Sequence, residues 1–118
     1  MTISCAIIDD EPLAAGLLES YAKKTPFLEL IGTYNSAIMA MKDLRDNPAQ
    51  LLLLDIQMPE LSGIEFAKIL PKETRIIFTT AFSQYAVEGY KVDALDYLLK
   101  PVSYEDFLKS TGKALDWF

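Results

Sequence analysis

Histidine is missing altogether from these 118 residues. Its absence removes the commonest general base, the usual zinc ligand and any phosphohistidine intermediate from the chain itself. Cysteine occurs once, as Cys5 in the run SCAII, so no internal disulfide can form, and a thiol in that apolar context reads as a small strand residue without a redox role. Cationic residues are in the minority, 11 against 17 acidic ones, and the formal net charge of −6 would repel a phosphate backbone. Direct nucleic-acid binding by these residues is therefore disfavoured. Glycine (5) and proline (6) are sparse and no low-complexity tract occurs, which argues against collagen-like or disordered character. No apolar run approaches the length of a membrane span, and the start MTISCAIIDDE lacks a basic flank. Neither a transmembrane helix nor a signal peptide is expected, and the expected location is cytoplasmic.

What is present is enough apolar material, 51% of the residues, for one sizeable core, and a length that suits one domain. Five short runs have strand character: residues 4–9 (SCAIID), 28–34 (LELIGTY), 51–55 (LLLLD), 75–80 (RIIFTT) and 96–100 (DYLLK). Three are almost continuously apolar, as parallel strands covered on both faces must be. Helical patterns separate them. Pro12 to Lys24 carries Ala14, Leu17, Leu18 and Tyr21 at helical spacing, with proline in the first turn and lysines at the end. Ser36 to Asp46 repeats the pattern through Met41 and Leu44, and Ser62 to Leu70 and Ser83 to Lys91 each open on a capping serine. The last segment, Ser103 to Phe118, sets Asp106 three residues after the serine and lines up Tyr104, Phe107, Leu108, Leu115 and Phe118 on one face. Five βα units in succession predict an α/β fold: a doubly wound parallel sheet with helices on both faces.

In such a sheet, ligands sit beyond the carboxyl ends of the strands. Those ends carry Asp9 and Asp10, Asp55, Thr79 and Thr80, and Lys100. Carboxylates forced together repel and would be pushed toward protonation unless a cation intervened. An all-oxygen donor set without Cys or His suits Mg²⁺, which takes one or two carboxylates, waters and a phosphate. A carboxylate can also attack phosphorus to form an aspartyl phosphate, and Asp55, at the end of the most apolar strand, is the candidate. Lys100 would pair with phosphate oxygens and a threonine hydroxyl would donate to them. Singly, each of these residues is ordinary turn or strand material; it is their joint placement at four strand ends that carries the argument.

The segments IIDDE, LLLLDIQMPELSG, IIFTTAF and DYLLKP together resemble the receiver domain of two-component response regulators: an acidic pair, a D-x-x-M-P-x-x-x-G loop, a hydroxyl followed by a small residue, and a Lys-Pro. The resemblance spans essentially the whole chain. It implies a flavodoxin-like strand order of 2-1-3-4-5, Asp55 as phosphoacceptor, Asp10 as direct ligand to Mg²⁺, Asp9 as a ligand through water, and the backbone carbonyl of Gln57 as a further ligand. It also implies Thr80, which precedes Ala81, as the switch hydroxyl, Lys100 as the phosphate-binding lysine, a cis Pro101 and a loop eased by Gly63. Tyr97 stands where the family has an aromatic that swings with the switch hydroxyl. Phe82, two residues after Thr80, puts bulk where a polar side chain would steer water, and so would shield an acyl phosphate.

The stretch AFSQYAVEGYKVDALDYLLKPVSYEDFL resembles more narrowly the LytTR-type regulators. By that resemblance residues 1–118 are the N-terminal receiver of a longer regulator, whose DNA-binding output domain lies outside this sequence. The partners implied are a separate sensor histidine kinase, DNA only through the output domain, and a second copy meeting it through the face of the fourth helix, fifth strand and fifth helix. The chain would be a phosphoacceptor that assists its own phosphorylation and dephosphorylation, not a turnover enzyme. Two alternatives remain at this point: a Mg²⁺-dependent phosphohydrolase with an Asp nucleophile, and a stand-alone receiver acting by protein contact. The first generally needs a second Asp two residues on, where this chain has Gln57.

Overall fold

The computed structural model describes residues 2–82 and 93–118. The helix expected over Ser83 to Lys91 lies outside these. In chain order the described elements are β1 (Ile3–Ile8), α1 (Pro12–Lys23), β2 (Leu28–Tyr34), α2 (Ala37–Asp46), β3 (Leu51–Asp55), α3 (Gly63–Ala67), β4 (Arg75–Thr80), β5 (Asp96–Leu99) and a C-terminal helix (Tyr104–Trp117). The strands form one parallel sheet in the order β2-β1-β3-β4-β5. This is the doubly wound, flavodoxin-like topology anticipated from the sequence.

The leucine run explains the centre of the sheet. Leu51, Leu53 and their neighbours Ile3, Cys5 and Ile7 face α1 and the C-terminal helix, while Leu52, Leu54, Ala6 and Ile8 face α2 and α3. A strand with period-two side chains and a helix layer on each face has no position for a polar residue, and Leu51 to Leu54 are all fully buried. Each such leucine is worth roughly 1.5–3 kcal/mol of burial. The run ends on Asp55, where the helix layers stop and the strand meets its loop.

The helices turn out to bury smaller residues than their periodicity suggested. In α1 the buried stripe is Ala15, Leu18 and Ala22, with Leu13 and Leu17 exposed; in α2 it is Ala37, Ala40 and Leu44, with Met41 partly exposed. The C-terminal helix buries Phe107, Ser110, Thr111 and Ala114 and leaves Leu108 and Leu115 at the surface. Bulk supplied by the branched strand residues leaves room for small side chains on the helices, so the expected apolar faces are rotated by part of a turn. Ser36 and Ser103 cap their helices by accepting from Met39 N–H and Asp106 N–H. At α3, Ser62 and Glu65 form a reciprocal capping box. That helix is shorter than the expected 62–70: after Ala67 the backbone tightens into turns with three-residue spacing, ahead of Pro71, which disfavours α geometry in Leu70.

Candidate functional site

The carboxyl ends of β1, β3 and β5 bring Asp9, Asp55 and Lys100 together. Asp9 follows β1, is fully buried, and its Oδ1 accepts from the Glu11 N–H at 2.9 Å. Asp55 closes β3 directly across from Thr79 of β4, and its Oδ1 accepts from the Gln57 N–H at 3.2 Å. Lys100, just past β5, reaches back with its Nζ 3.1 Å from Asp9 Oδ2 and 3.5 Å from Asp55 Oδ1. The Lys100–Pro101 peptide bond is cis.

Glu11 joins this group, although its place in the sequence gave it no role. Its Oε1 lies 2.9 Å from Lys100 Nζ, and ligand oxygens of Asp9, Glu11 and Asp55 fall within 4.8 Å of one another. The signal was present as the third acid of IIDDE, but a glutamate at a helix start is ordinary and nothing in its spacing marked it. Asp10 is placed differently from its neighbours. Its carboxyl is within hydrogen-bonding reach of Asp55, and it lines an open cleft with Gln57, Met58, Pro59 and Ser62.

The electrostatics follow from this crowding. Burial, the Asp10 carboxyl and the Asp9 charge raise Asp55 to about 7, against the partial relief given by Lys100 and the Gln57 N–H. Burial pulls the Lys100 amine down, but Glu11, Asp9 and Asp55 outweigh it and hold it above the ordinary lysine value. One amine does not balance the acids. Asp55 Oδ2 is buried without a hydrogen-bond partner among the described residues, and Asp9 Oδ2 has only the ion-pair contact with Lys100. A buried Asp55 oxygen without a donor, beside an Asp9 oxygen met only by Lys100 in an all-oxygen donor set, fits a hard divalent cation.

Thr80 and Tyr97 lie on the α2–α3 side of the sheet end. Tyr97 stacks on Phe78 with ring centroids 5.3 Å apart, and its hydroxyl is buried without a hydrogen-bond partner among the described residues. Thr80 is buried and its Oγ1 accepts from the Phe82 N–H at 3.1 Å; the Phe82 ring is partly exposed. Thr79, with its hydroxyl also unpartnered among the described residues, lines the cleft on the α1 side of Lys100. Strand alternation thus puts Thr80, and not Thr79, on the side of Tyr97.

Gly63 is required here by space. No glycine among the described residues has a positive φ, but a β-carbon at Gly63 would run into the Asp55 carbonyl, because the loop folds back and the Gly63 N–H donates to Ile56 O at 2.8 Å. The expected easing of backbone conformation therefore gives way to a close-packing role, and the left-handed position in the loop is Glu60, with φ of 69°.

The comparisons with known proteins agree with this geometry. A response regulatory protein of Vibrio cholerae is 37% identical over 115 residues, covering 96% of this chain and 48% of its own length. The sensory transduction protein LytT of Bacillus anthracis is 37% identical over 110 residues, covering 91% of this chain and 45% of its own length. The chain spans about half the length of the curated relatives it matches. Among solved structures, the response regulatory domain of protein mrkE from Klebsiella pneumoniae superposes with a TM-score of 0.87 at 27% identity, covering 98% of this chain and 97% of that one. The family model for the response regulator receiver domain matches residues 5–111, and the chain belongs to that family.

Proposed function

We propose that this receiver takes a phosphoryl group on Asp55 from the phosphohistidine of a separate sensor kinase. A carboxylate oxygen of Asp55 attacks phosphorus, the phosphorus–nitrogen bond to the donor imidazole breaks, and the imidazole leaves with a proton. Asp9, Asp10, Asp55 and the backbone carbonyl of Gln57 would hold Mg²⁺, which would neutralise charge on the transferring group. Lys100 pairs with the phosphoryl oxygens, and Thr80 turns its hydroxyl toward them. Thr80 leaving its place opens room for the Tyr97 ring, and the surface formed by the segment before β5, by β5 and by the C-terminal helix changes shape. The observation that carries this reading is the Lys100 amine held between the buried carboxylates of Asp9 and Asp55, with Asp55 Oδ2 left without a donor among the described residues.

By the same reading, residues 1–118 are the N-terminal receiver of a longer cytoplasmic regulator. Its output is a LytTR-type DNA-binding domain, through which alone it touches DNA, and activation pairs two copies through the β5 and C-terminal helix face. The likeness to LytT and the half-length match support this. No helix among the described residues is long and apolar enough to cross a membrane. A phosphohydrolase is less well supported, because the position two residues past Asp55 is Gln57, which cannot serve as a general acid.

Incubation with acetyl phosphate and Mg²⁺, followed by intact-mass measurement, tests the proposal. A labile gain of about 80 Da is expected, absent in Asp55→Ala and with a chelator present. Continuous phosphate release from simple esters, without an adduct, would instead favour the phosphohydrolase.

A further inference from the structure

Three carboxylates contend for the Lys100 amine, and the nearest is the one that no sequence motif marks. Glu11 Oε1 is 2.9 Å away, against 3.1 Å for Asp9 and 3.5 Å for Asp55. Residue 11 is itself fastened to the pocket, since its N–H donates to Asp9 Oδ1, so its side chain starts from a fixed point. It also occupies the N-cap position of α1, with φ −94° and ψ 112°, yet makes no side-chain capping bond. Serine, threonine, aspartate or asparagine would cap better, so helix formation does not account for a glutamate that turns away from the helix end toward a lysine. Glu11 and Lys100 share the rim of a cleft whose other walls include Leu13, Leu17, Leu18 and Val102, which limits the water available to the Lys100 amine.

We propose that Glu11 is a positioning residue that holds the Lys100 amine at the rim of the acidic pocket, so that phosphorylation of Asp55 requires Glu11 to surrender it. The inference rests on Asp55 being the phosphoacceptor. The Lys100 side chain is 15% exposed and that of Glu11 66% exposed, so the pair lies at the boundary with solvent and is a modest restraint. Its effect on rate is correspondingly a small multiple. An incoming phosphoryl group offers the amine new anionic oxygens, and the exposed glutamate can rotate into water at little cost once the amine has left it. Asp9, fully buried, has no such exit.

The test compares wild type, Glu11→Gln and Glu60→Gln. The second substitution removes the same charge from the exposed loop after Asp55. With acetyl phosphate and Mg²⁺, Glu11→Gln should be phosphorylated roughly two- to fivefold faster than wild type and Glu60→Gln at the wild-type rate. In parallel, ¹⁵N NMR of the metal-free proteins should detect a held Lys100 ammonium in wild type whose protons exchange with water severalfold faster in Glu11→Gln, where Asp9 and Asp55 alone retain it. An unchanged or slower phosphorylation of Glu11→Gln, an equal acceleration in Glu60→Gln, or a Lys100 ammonium exchange rate unchanged in Glu11→Gln would overturn the proposal. Failure of wild type to form any adduct would defeat the phosphoacceptor reading instead, and the NMR comparison would still decide whether Glu11 holds Lys100.

Discussion

At the scale of single residues, the controlling feature is a carboxyl group buried among others. Asp55 is raised from an ordinary 3.8 to about 7, so between those values the folded protein binds more protons than the unfolded chain. Its neutral form favours folding below pH 3.8, and that contribution is lost as the pH rises through 7. Asp55→Asn should therefore stabilise the metal-free protein little near pH 4 and by roughly 2–4 kcal/mol at pH 8, with Mg²⁺ closing much of the gap by stabilising the ionised wild type. Denaturant melts of both proteins at the two pH values measure it. A constant difference across pH would mean that Asp55 is not the group under strain. The identity of this residue was legible in the sequence because a charge that closes an unbroken apolar strand is costly to bury unless a site opens at the strand's mouth. Glu11 was not legible, because its significance depends on where Lys100 arrives from, 89 residues along the chain.

At the scale of elements, the strands could be read from the sequence better than the faces of the helices. Apolar runs such as residues 51–54 leave no ambiguity about burial, whereas α1 and the C-terminal helix carry more leucine than the sheet can cover. Alanine and threonine win the inward positions because the strand side chains already fill the layer, a fact of packing between distant segments that helical periodicity does not contain. Ala114→Leu should cost about 1–3 kcal/mol by overpacking, while Leu13→Gln, at a more apolar but almost wholly exposed residue, should change stability by less than about 0.5 kcal/mol. Thermal or urea unfolding would separate the two, and the reverse order would refute the assigned faces. The loop after β3 obeys the same logic of space. Gly63→Ala must move the Asp55 backbone, so it should lower stability by about 1–3 kcal/mol and also slow phosphorylation, a pairing that adduct kinetics and denaturant melts would reveal.

The C-terminal helix also shows a contact that no local pattern announces. Arg75, almost buried at the start of β4, forms two hydrogen bonds to Asp93, at 2.8 and 3.3 Å, and stacks its guanidinium 4.2 Å from the Trp117 ring centroid. In sequence it is merely the polar first residue of a strand. In the structure it ties the chain entering β5 to the last turn of the helix.

At the scale of the whole molecule, the order of the strands turns scattered residues into one site. Placing β1 and β3 side by side and β4 and β5 beyond them sets the ends carrying Asp9, Asp55, Thr80 and Lys100 along one edge, and the crossovers that separate these residues in sequence make their meeting possible. The architecture was legible from the alternation of apolar runs with helical segments, and the resemblance of four ordered segments supplied the strand order. What remained hidden was the competition inside the pocket, since distances of 2.9, 3.1 and 3.5 Å from one amine to three acids are set by the fold as a whole. The most direct measurement is to phosphorylate the protein with acetyl phosphate and Mg²⁺, trap the product with borohydride, and map the modified residue by peptide sequencing. The account predicts reduction at Asp55, which would be recovered as homoserine. Modification at any other residue, or recovery of unmodified Asp55 from protein that has gained the phosphoryl mass, would contradict it.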